Sequence, residues 1–299
     1  MPILLFVLAL LAGDASASRW TRAEYAGVLT DPELSEVSGL AASRAHPGMY
    51  WAENDGDNGE KIIAIRTDGT RLADVRIFGV HNTDWEDLDS FDLDGKHYLM
   101  IADTGDNGGI RKTLMLHFIE EPAEVRDGAT VSPSWSIEFR WPDGARDCEA
   151  TAVDVAGGQV LLISKKRVPP ELFSLPLRPA AGAGVLVATP VALLPGIAQP
   201  STQDLRQNPV YGRYRSQVSG ADLSPNGRVL AVLNYHSVHL YVRGPGQSWA
   251  KALDKAAPDE LPLPWMPQAE GIAFSLDGSS LLIGSEQRPS PLLRFRVVR

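Results

Sequence analysis

The stretch DWEDLDSFDLDGKHYLMIAD, residues Asp84–Asp103, carries a clear secondary-structure signal. Apolar residues recur among polar ones up to Leu93, the dipeptide Asp94-Gly95 follows, and a second apolar run begins at Tyr98. Two such runs on either side of an Asp-Gly dipeptide are typical of antiparallel strands joined by a tight turn. The stretch therefore predicts a β-hairpin.

Four further segments of the chain repeat this pattern, and they begin at Glu36, Asp147, Gln217 and Gln268. The third residue of every segment is Ser or Glu, and these residues recur at intervals of about 50 to 70 residues, as in a repeat protein. Further strand-like runs follow each hairpin, giving about four strands per unit. Repeats of this kind predict an all-β fold, a β-propeller of five four-stranded blades. The longer second and third units leave six blades as an alternative.

The two ends of the chain complement each other in this scheme. The last repeat lacks one strand, and the segment EYAGVLT, which begins at Glu24, can supply it. We therefore expect residues 18–299 to form a single β-propeller domain.

Residues 1–17 resemble a secretory signal peptide. The run Ile3–Ala12 is apolar, and Ala15-Ser16-Ala17 fits a small-residue cleavage site. The sequence thus predicts a secreted or periplasmic protein with no membrane span after signal cleavage. An uncleaved anchor is the alternative, because no Lys or Arg precedes the apolar run.

Composition excludes several classes of protein. The chain of 299 residues has a formal net charge of −9 and one cysteine, Cys148. A single cysteine cannot form an internal disulfide. An acidic chain without a basic stripe argues against a nucleic-acid partner.

Equivalent positions on the inner strands of a propeller form a ring around the central channel. The aligned residues that form this ring are Ser38, Glu86, Glu149, Ser219 and Glu270. Carboxylates packed together repel one another, and a bound divalent cation removes the repulsion. A ligand set made only of oxygens favours calcium over magnesium. The sequence therefore predicts a central Ca²⁺ site, with ordinary polar strand starts as the alternative.

A second set of polar residues lies about 16 positions after each ring residue, where the hairpin returns to the same end. Its members are Asn54, Asp103, Lys165, Tyr235 and Glu286. We interpret them as the wall of a funnel above the ion, or else as exposed strand ends.

Two loops leave this end of the predicted channel, Asn54–Lys61 and Asp103–Lys112, and both contain Gly-Asp-Asn-Gly. The Gly-Asp-Asn-Gly sequence favours a turn over a second calcium loop, because the distal Glu of an EF-hand is missing. The polar stretch Pro195–Tyr214 predicts a long surface loop over one face, either a lid or a disordered segment.

The order Ser, Glu, Glu, Ser, Glu, with one residue per blade, resembles the central calcium site of the soluble calcium-activated nucleotidase (apyrase) family. That resemblance implies a five-bladed propeller that hydrolyses nucleoside di- and triphosphates. The segments DWEDL, DTGDNGGIRK and VSGADLSPNG also resemble secreted bacterial phytase-like propellers of unassigned function. Both resemblances imply a calcium-centred propeller, and only the first implies phosphoanhydride chemistry.

The sequence is compatible with three functions. In a calcium-dependent hydrolase of phosphoanhydrides or phosphoesters, Asp103 or Glu286 would be the general base, while Lys165 and Arg111 would stabilise charge. In a non-catalytic module, a structural calcium would join the blades and the rim would bind a small anionic ligand or a protein. A lactonase or esterase is the third alternative.

Overall fold

The computed structural model describes residues 19–56 and 58–298, and these form five sheets arranged as a β-propeller. The predicted signal peptide, residues 1–17, lies outside the described residues. The all-β prediction of five four-stranded blades is confirmed. The six-blade alternative is wrong, because the additional residues of the longer units form short added strands and loops instead.

The N-terminal strand β1 spans Glu24–Leu29 and belongs to the last blade. The first blade follows with four strands: β2 (Val37–Ala42), β3 (Met49–Asn54), β4 (Lys61–Arg66) and β5 (Arg71–Ile77). The second blade contains β6 (Trp85–Leu93), β7 (Lys96–Asp103), β8 (Leu114–Glu120) and, after the short β9 (Ala129–Val131), β10 (Trp135–Arg140). Strand β9 pairs in parallel with β5 and so extends the first blade.

The third blade contains β11 (Ala150–Asp154), β12 (Gln159–Ile163), β13 (Glu171–Pro176) and, after β14 (Leu186–Val187), β15 (Thr189–Leu193). Strand β14 pairs in parallel with β10 of the second blade. Between the third and fourth blades lie the helix α1 (Thr202–Gln207) and a 3₁₀ turn (Gly212–Tyr214). The fourth blade contains β16 (Val218–Leu223), β17 (Val229–Asn234), β18 (Ser237–Val242) and, after the helix α2 (Trp249–Leu253), β19 (Asp259–Pro262).

The fifth blade is built from both ends of the chain. Its first three strands are β20 (Ala269–Phe274), β21 (Ser280–Ser285) and β22 (Ser290–Arg296). Strand β1 pairs with β22 and completes the sheet as its fourth strand. The prediction that the first strand closes the last blade is therefore confirmed.

The hairpin formed by Asp84–Asp103 has the expected turn. Asp94 has a φ of 52° and Gly95 a φ of 76°, so both central residues are left-handed, as a type I′ turn requires. Strands β6 and β7 pair from Leu93–Lys96 back to Trp85–Asp103.

The hydrophobic core is divided among the blade interfaces. Five clusters of buried side chains each pack between two successive blades. One of them joins the fifth blade to the first, through Leu29 and Leu282 on one side and Leu40 and Tyr50 on the other. The blades therefore close into a ring without a free sheet face. None of the helices in the described part of the chain is long and apolar enough to cross a bilayer.

Candidate metal centre

Four of the five predicted ring residues lie in β-bulges near the start of the inner strands. Val37 pairs with Asn54 and Gly39 pairs with Glu53, so the ladder of the first blade skips Ser38. The same kind of shift falls at Glu86, Ser219 and Glu270 in later blades. A bulged residue has no partner in the ladder, and its side chain is redirected relative to its neighbours. Glu149 directly precedes β11, so it also stands outside the regular pairing.

All five ring residues are buried, with at most 5% of each residue exposed. The two serine hydroxyls bridge neighbouring blades. Ser38 Oγ donates to the carbonyl of Trp85 at 3.3 Å, and Ser219 Oγ donates to the carbonyl of Ala269 at 2.6 Å. Each accepting carbonyl belongs to the residue just before a ring glutamate, so the serines fix where the next glutamate stands.

Carboxylates from three blades come together at this end of the channel. Asp55, Asp84 and Glu86 each offer an oxygen within 4.8 Å of the others, and so do Glu86, Asp147 and Glu149. The two groups share Glu86, and we call them the first and the second carboxylate triad. Such a set of hard oxygen ligands suits calcium.

Sequence reasoning did not single out Asp84 and Asp147 as candidate ligands and placed Asp55 only in a loop that leaves the channel. The signal for the first two was present, because an aspartate stands two residues before the ring glutamate in both DWE and DCE. Glu270, in contrast, belongs to neither triad, although its charge acts on Glu86.

A glycine lies against the first triad. An added Cβ at Gly105 would overlap Glu86 Oε1 and Asp84 Oδ2. The backbone of this loop therefore approaches the two carboxylates as closely as a residue without a side chain permits. Any larger residue would push them apart.

Burial and mutual repulsion raise the pKa of four carboxyl groups at this end of the channel, those of Asp55, Asp84, Glu86 and Glu270. Burial, and then the charge of Asp55, raises the pKa of Glu86 well above its ordinary value. Burial also raises the pKa of Asp55 to about 6, that of Asp84 to about 6 and that of Glu270 to about 8. One oxygen of the second triad, Glu149 Oε2, is buried without a hydrogen-bond partner among the described residues. These are the properties of ligands that a cation would satisfy.

Two members of the predicted second ring reach the carboxylates. Lys165 Nζ forms an ion pair with Glu149 Oε1, and both side chains are at least nine-tenths buried. Tyr235 donates its hydroxyl hydrogen to Glu270 Oε1 at 2.7 Å. Lys165 is thus part of the ring itself, whereas the sequence placed it on the funnel wall.

Two other members hold the loops that lead into the inner strands. Asn54 Oδ1 accepts from the backbone nitrogen of Glu36 at 3.3 Å, and Asp103 Oδ1 accepts from that of Asp84 at 3.2 Å. Asp103 also forms an ion pair with Arg111 at 2.7 Å and is almost fully buried. The opposite charges of Asp103 and Arg111 therefore compensate each other.

Glu286 is the remaining candidate base, and it stands half-buried beside the ring. Its carboxylate accepts a hydrogen bond from Gln268 Nε2. Burial raises the pKa of Glu286, while the ammonium of Lys165 lowers it in part. A raised pKa makes this carboxylate a stronger base than an ordinary glutamate.

Both Gly-Asp-Asn-Gly loops have turn structure. Asp106 accepts from the backbone nitrogens of Ile110 at 2.8 Å and Arg111 at 3.1 Å. In the first loop, Asn58 donates to the carbonyls of Asp55 and Gly56. Asp57 of that loop lies outside the described residues. These bonds fit the interpretation of the loops as turns.

A cavity of about 720 Å³ adjoins the ring. One wall comes from the stretch predicted as a surface loop, which contains α1 because Ser201 and Asp204 form a capping box. The residues that line the cavity include Lys165, Lys166, Tyr211, Arg215, Tyr235 and Trp265. A volume of this size accommodates a small organic ligand.

No protein-family model matches this chain, and no match was found among curated proteins. The resemblances to the nucleotidase and phytase-like families therefore rest on residues alone. Among the solved structures that match is the Pan2 WD40 domain of Neurospora crassa, with 7% sequence identity and a TM-score of 0.37. The match covers 88% of this chain but 64% of that chain, which is less than two thirds of its length. The assignment of the fold rests on the sheets described above.

Proposed function

We propose that this protein binds Ca²⁺ at the carboxylate end of its channel and acts there on small anionic substrates. The observation that carries the proposal is the pair of triads that share Glu86, with five buried or half-buried carboxylates in all. Calcium accepts six to eight oxygen ligands in irregular geometry, which such a set together with water supplies.

Hydrolysis of a phosphoanhydride or phosphoester is the activity that this arrangement supports best. A bound Ca²⁺ would polarise phosphoryl oxygens and lower the pKa of a coordinated water. Glu286 stands beside the ring with a raised pKa and can take the proton of that water. The apyrase-like order of ring residues agrees with this chemistry, and a secreted or periplasmic location remains part of the proposal.

A non-catalytic binding module is the second candidate, and a specific observation favours it. Three of the four residues predicted to be catalytic, Asp103, Arg111 and Lys165, are engaged in internal ion pairs. Calcium would then stabilise the blades while the adjoining cavity binds a ligand.

Thermal unfolding in EDTA and in a calcium series tests the cation site. A ligand that binds only the folded state stabilises it by about 2.7 kcal/mol at one hundred times its Kd. We expect this shift in the wild type and its loss in Glu86→Gln, which disrupts both triads. Glu138→Gln, on the exposed face of β10, is the matched control and should respond like the wild type. A wild-type melting temperature that does not change with calcium concentration would rule out the proposal.

Turnover of phenyl phosphate and pyrophosphate in excess calcium separates the two candidates. A hydrolase should lose turnover in Glu286→Gln while its calcium-dependent stabilisation remains. Stabilisation by calcium without turnover of either compound in the wild type would select the binding module.

A further inference from the structure

Two consecutive lysines connect the second triad to the cavity. Lys165 Nζ forms an ion pair with Glu149, and Lys166 Nζ lies 2.8 Å from Asp147 Oδ2. Both lysines also line the 720 Å³ cavity. The carboxylates that would bind a cation are therefore the same ones that hold the two ammonium groups.

A calcium ion and these ammonium groups compete for the same oxygens. Carboxylate oxygens approach Ca²⁺ to about 2.3–2.6 Å, and an ammonium at the same oxygen would face a doubly charged neighbour within a few ångströms. Glu149 Oε2 is buried and has no hydrogen-bond partner within residues 19–56 and 58–298, so the triad offers a free oxygen even while Lys165 holds Oε1. A cation would first bind at this oxygen and would then displace the ammonium groups.

The cavity provides space for the displaced lysine side chains. Lys166 is 42% exposed in its side chain, and its other partners are the backbone and side-chain oxygens of Asn107. A lysine has a flexible four-carbon stem with three donors at its end, so it can change partner without a backbone change. The cavity is the space that both lysines already border.

We propose that the cavity is an anion-binding site that calcium activates by releasing Lys165 and Lys166 from Glu149 and Asp147. This inference rests on the proposed cation site and names the ligand class, a small organic anion with a phosphate- or carboxylate-like group. The ammonium groups bind the charged end. Tyr211 and Trp265, on the cavity wall and respectively 47% and 73% exposed, contact the apolar body.

Linkage makes the proposal quantitative. If calcium raises the affinity for an anion, the anion must raise the affinity for calcium by the same factor. We expect a factor of about ten or more, within the usual range of coupling between two sites. Removal of Lys165 should also tighten calcium binding, because the competing ammonium is gone.

The test is calorimetric titration of the full chain with phenylphosphonate, a non-hydrolysable probe, in EDTA and in saturating calcium. The wild type should bind the probe at least about tenfold more tightly in calcium. Lys166→Met should lose that gain while calcium still stabilises the fold, and Lys165→Met should bind calcium more tightly than the wild type. Arg167→Met is the control, because this neighbour is exposed and does not line the cavity.

The outcomes separate this inference from the proposed function. Equal affinity for phenylphosphonate in EDTA and in calcium, in a protein that calcium stabilises, overturns the inference and leaves the cation site intact. Weaker calcium binding by Lys165→Met would also overturn it. If calcium does not stabilise the wild type, both this inference and the proposed cation site are ruled out.

Discussion

Asp154 in the third blade and Arg243 in the fourth form a two-pronged ion pair, with both nitrogen–oxygen distances at 2.6 Å. The Asp154 side chain is fully buried and that of Arg243 is 10% exposed. Trp249 Nε1 donates to the same carboxylate at 3.2 Å. This pair joins two blades at the end of the channel opposite the carboxylate triads.

Breaking this pair should be costly, because one charge would remain buried without its partner. We expect Asp154→Asn to lower the free energy of unfolding by about 3–5 kcal/mol, as for other buried pairs. Urea unfolding measures the change. The half-exposed pair of Lys96 and Glu120 is the comparison, and Glu120→Gln should cost less than about 1 kcal/mol. Equal costs for the two substitutions would contradict the role given to burial.

Gly105→Ala should weaken calcium binding without removing any ligand. The new methyl group would overlap Glu86 Oε1 and Asp84 Oδ2, so the first triad must spread. We expect the calcium-dependent rise in melting temperature to shrink strongly. Gly108→Ala is the matched control, since the nearest atom to its Cβ is a side-chain carbon of Ile110 at 3.6 Å. A normal calcium response in Gly105→Ala would place the cation elsewhere.

Ser219→Ala tests whether a ring serine joins blades or binds the cation. Loss of the hydrogen bond to the Ala269 carbonyl should cost about 1 kcal/mol of unfolding free energy, or more because the carbonyl stays buried. Chemical unfolding in EDTA and in calcium measures it. The same cost in both conditions indicates a bridge between blades. A larger cost in calcium would identify Ser219 as a ligand, as the sequence predicted.

Glu53→Gln should stabilise the protein increasingly as the pH rises. Glu53 is fully buried, and neither carboxylate oxygen has a hydrogen-bond partner among the described residues. Burial, followed by the charges of Asp87, Asp55 and Asp103, raises its pKa well above the ordinary 4.5. The unfolded chain releases this proton above that value while the folded protein keeps it. The equilibrium constant for folding therefore falls about tenfold per pH unit until the folded-state pKa is reached.

The glutamine variant cannot ionise, so it escapes this penalty. Unfolding in urea at pH 4, 6 and 8 should show little difference from the wild type at pH 4 and a growing advantage above it. The exposed Glu138→Gln serves as the control. A variant whose advantage is the same at all three pH values would show that Glu53 is not the buried acid described here.

Local patterns were sufficient to predict the blades. The apolar pattern of Asp84–Asp103 and the dipeptide Asp94-Gly95 act over neighbouring residues, and together they predicted the observed hairpin. The five-fold repetition then predicted the propeller. Each repeat has an apolar face on either side, and only the neighbouring repeats can bury those faces. The strand β1 was predicted for the same reason, since the last blade lacked one strand.

The partners of the site residues could not be read from the chain. The sequence placed Lys165, Asp103 and Arg111 around an open funnel, but the distances that pair Lys165 with Glu149 and Asp103 with Arg111 depend on how the loops fold over the channel. Asp84 and Asp147 enter the triads because the loops before the inner strands place a carboxylate oxygen of each within 4.8 Å of one from Glu86. Periodicity specifies which residues begin a strand, whereas the approach of carboxylates from different blades is set by the packing of the blades against one another.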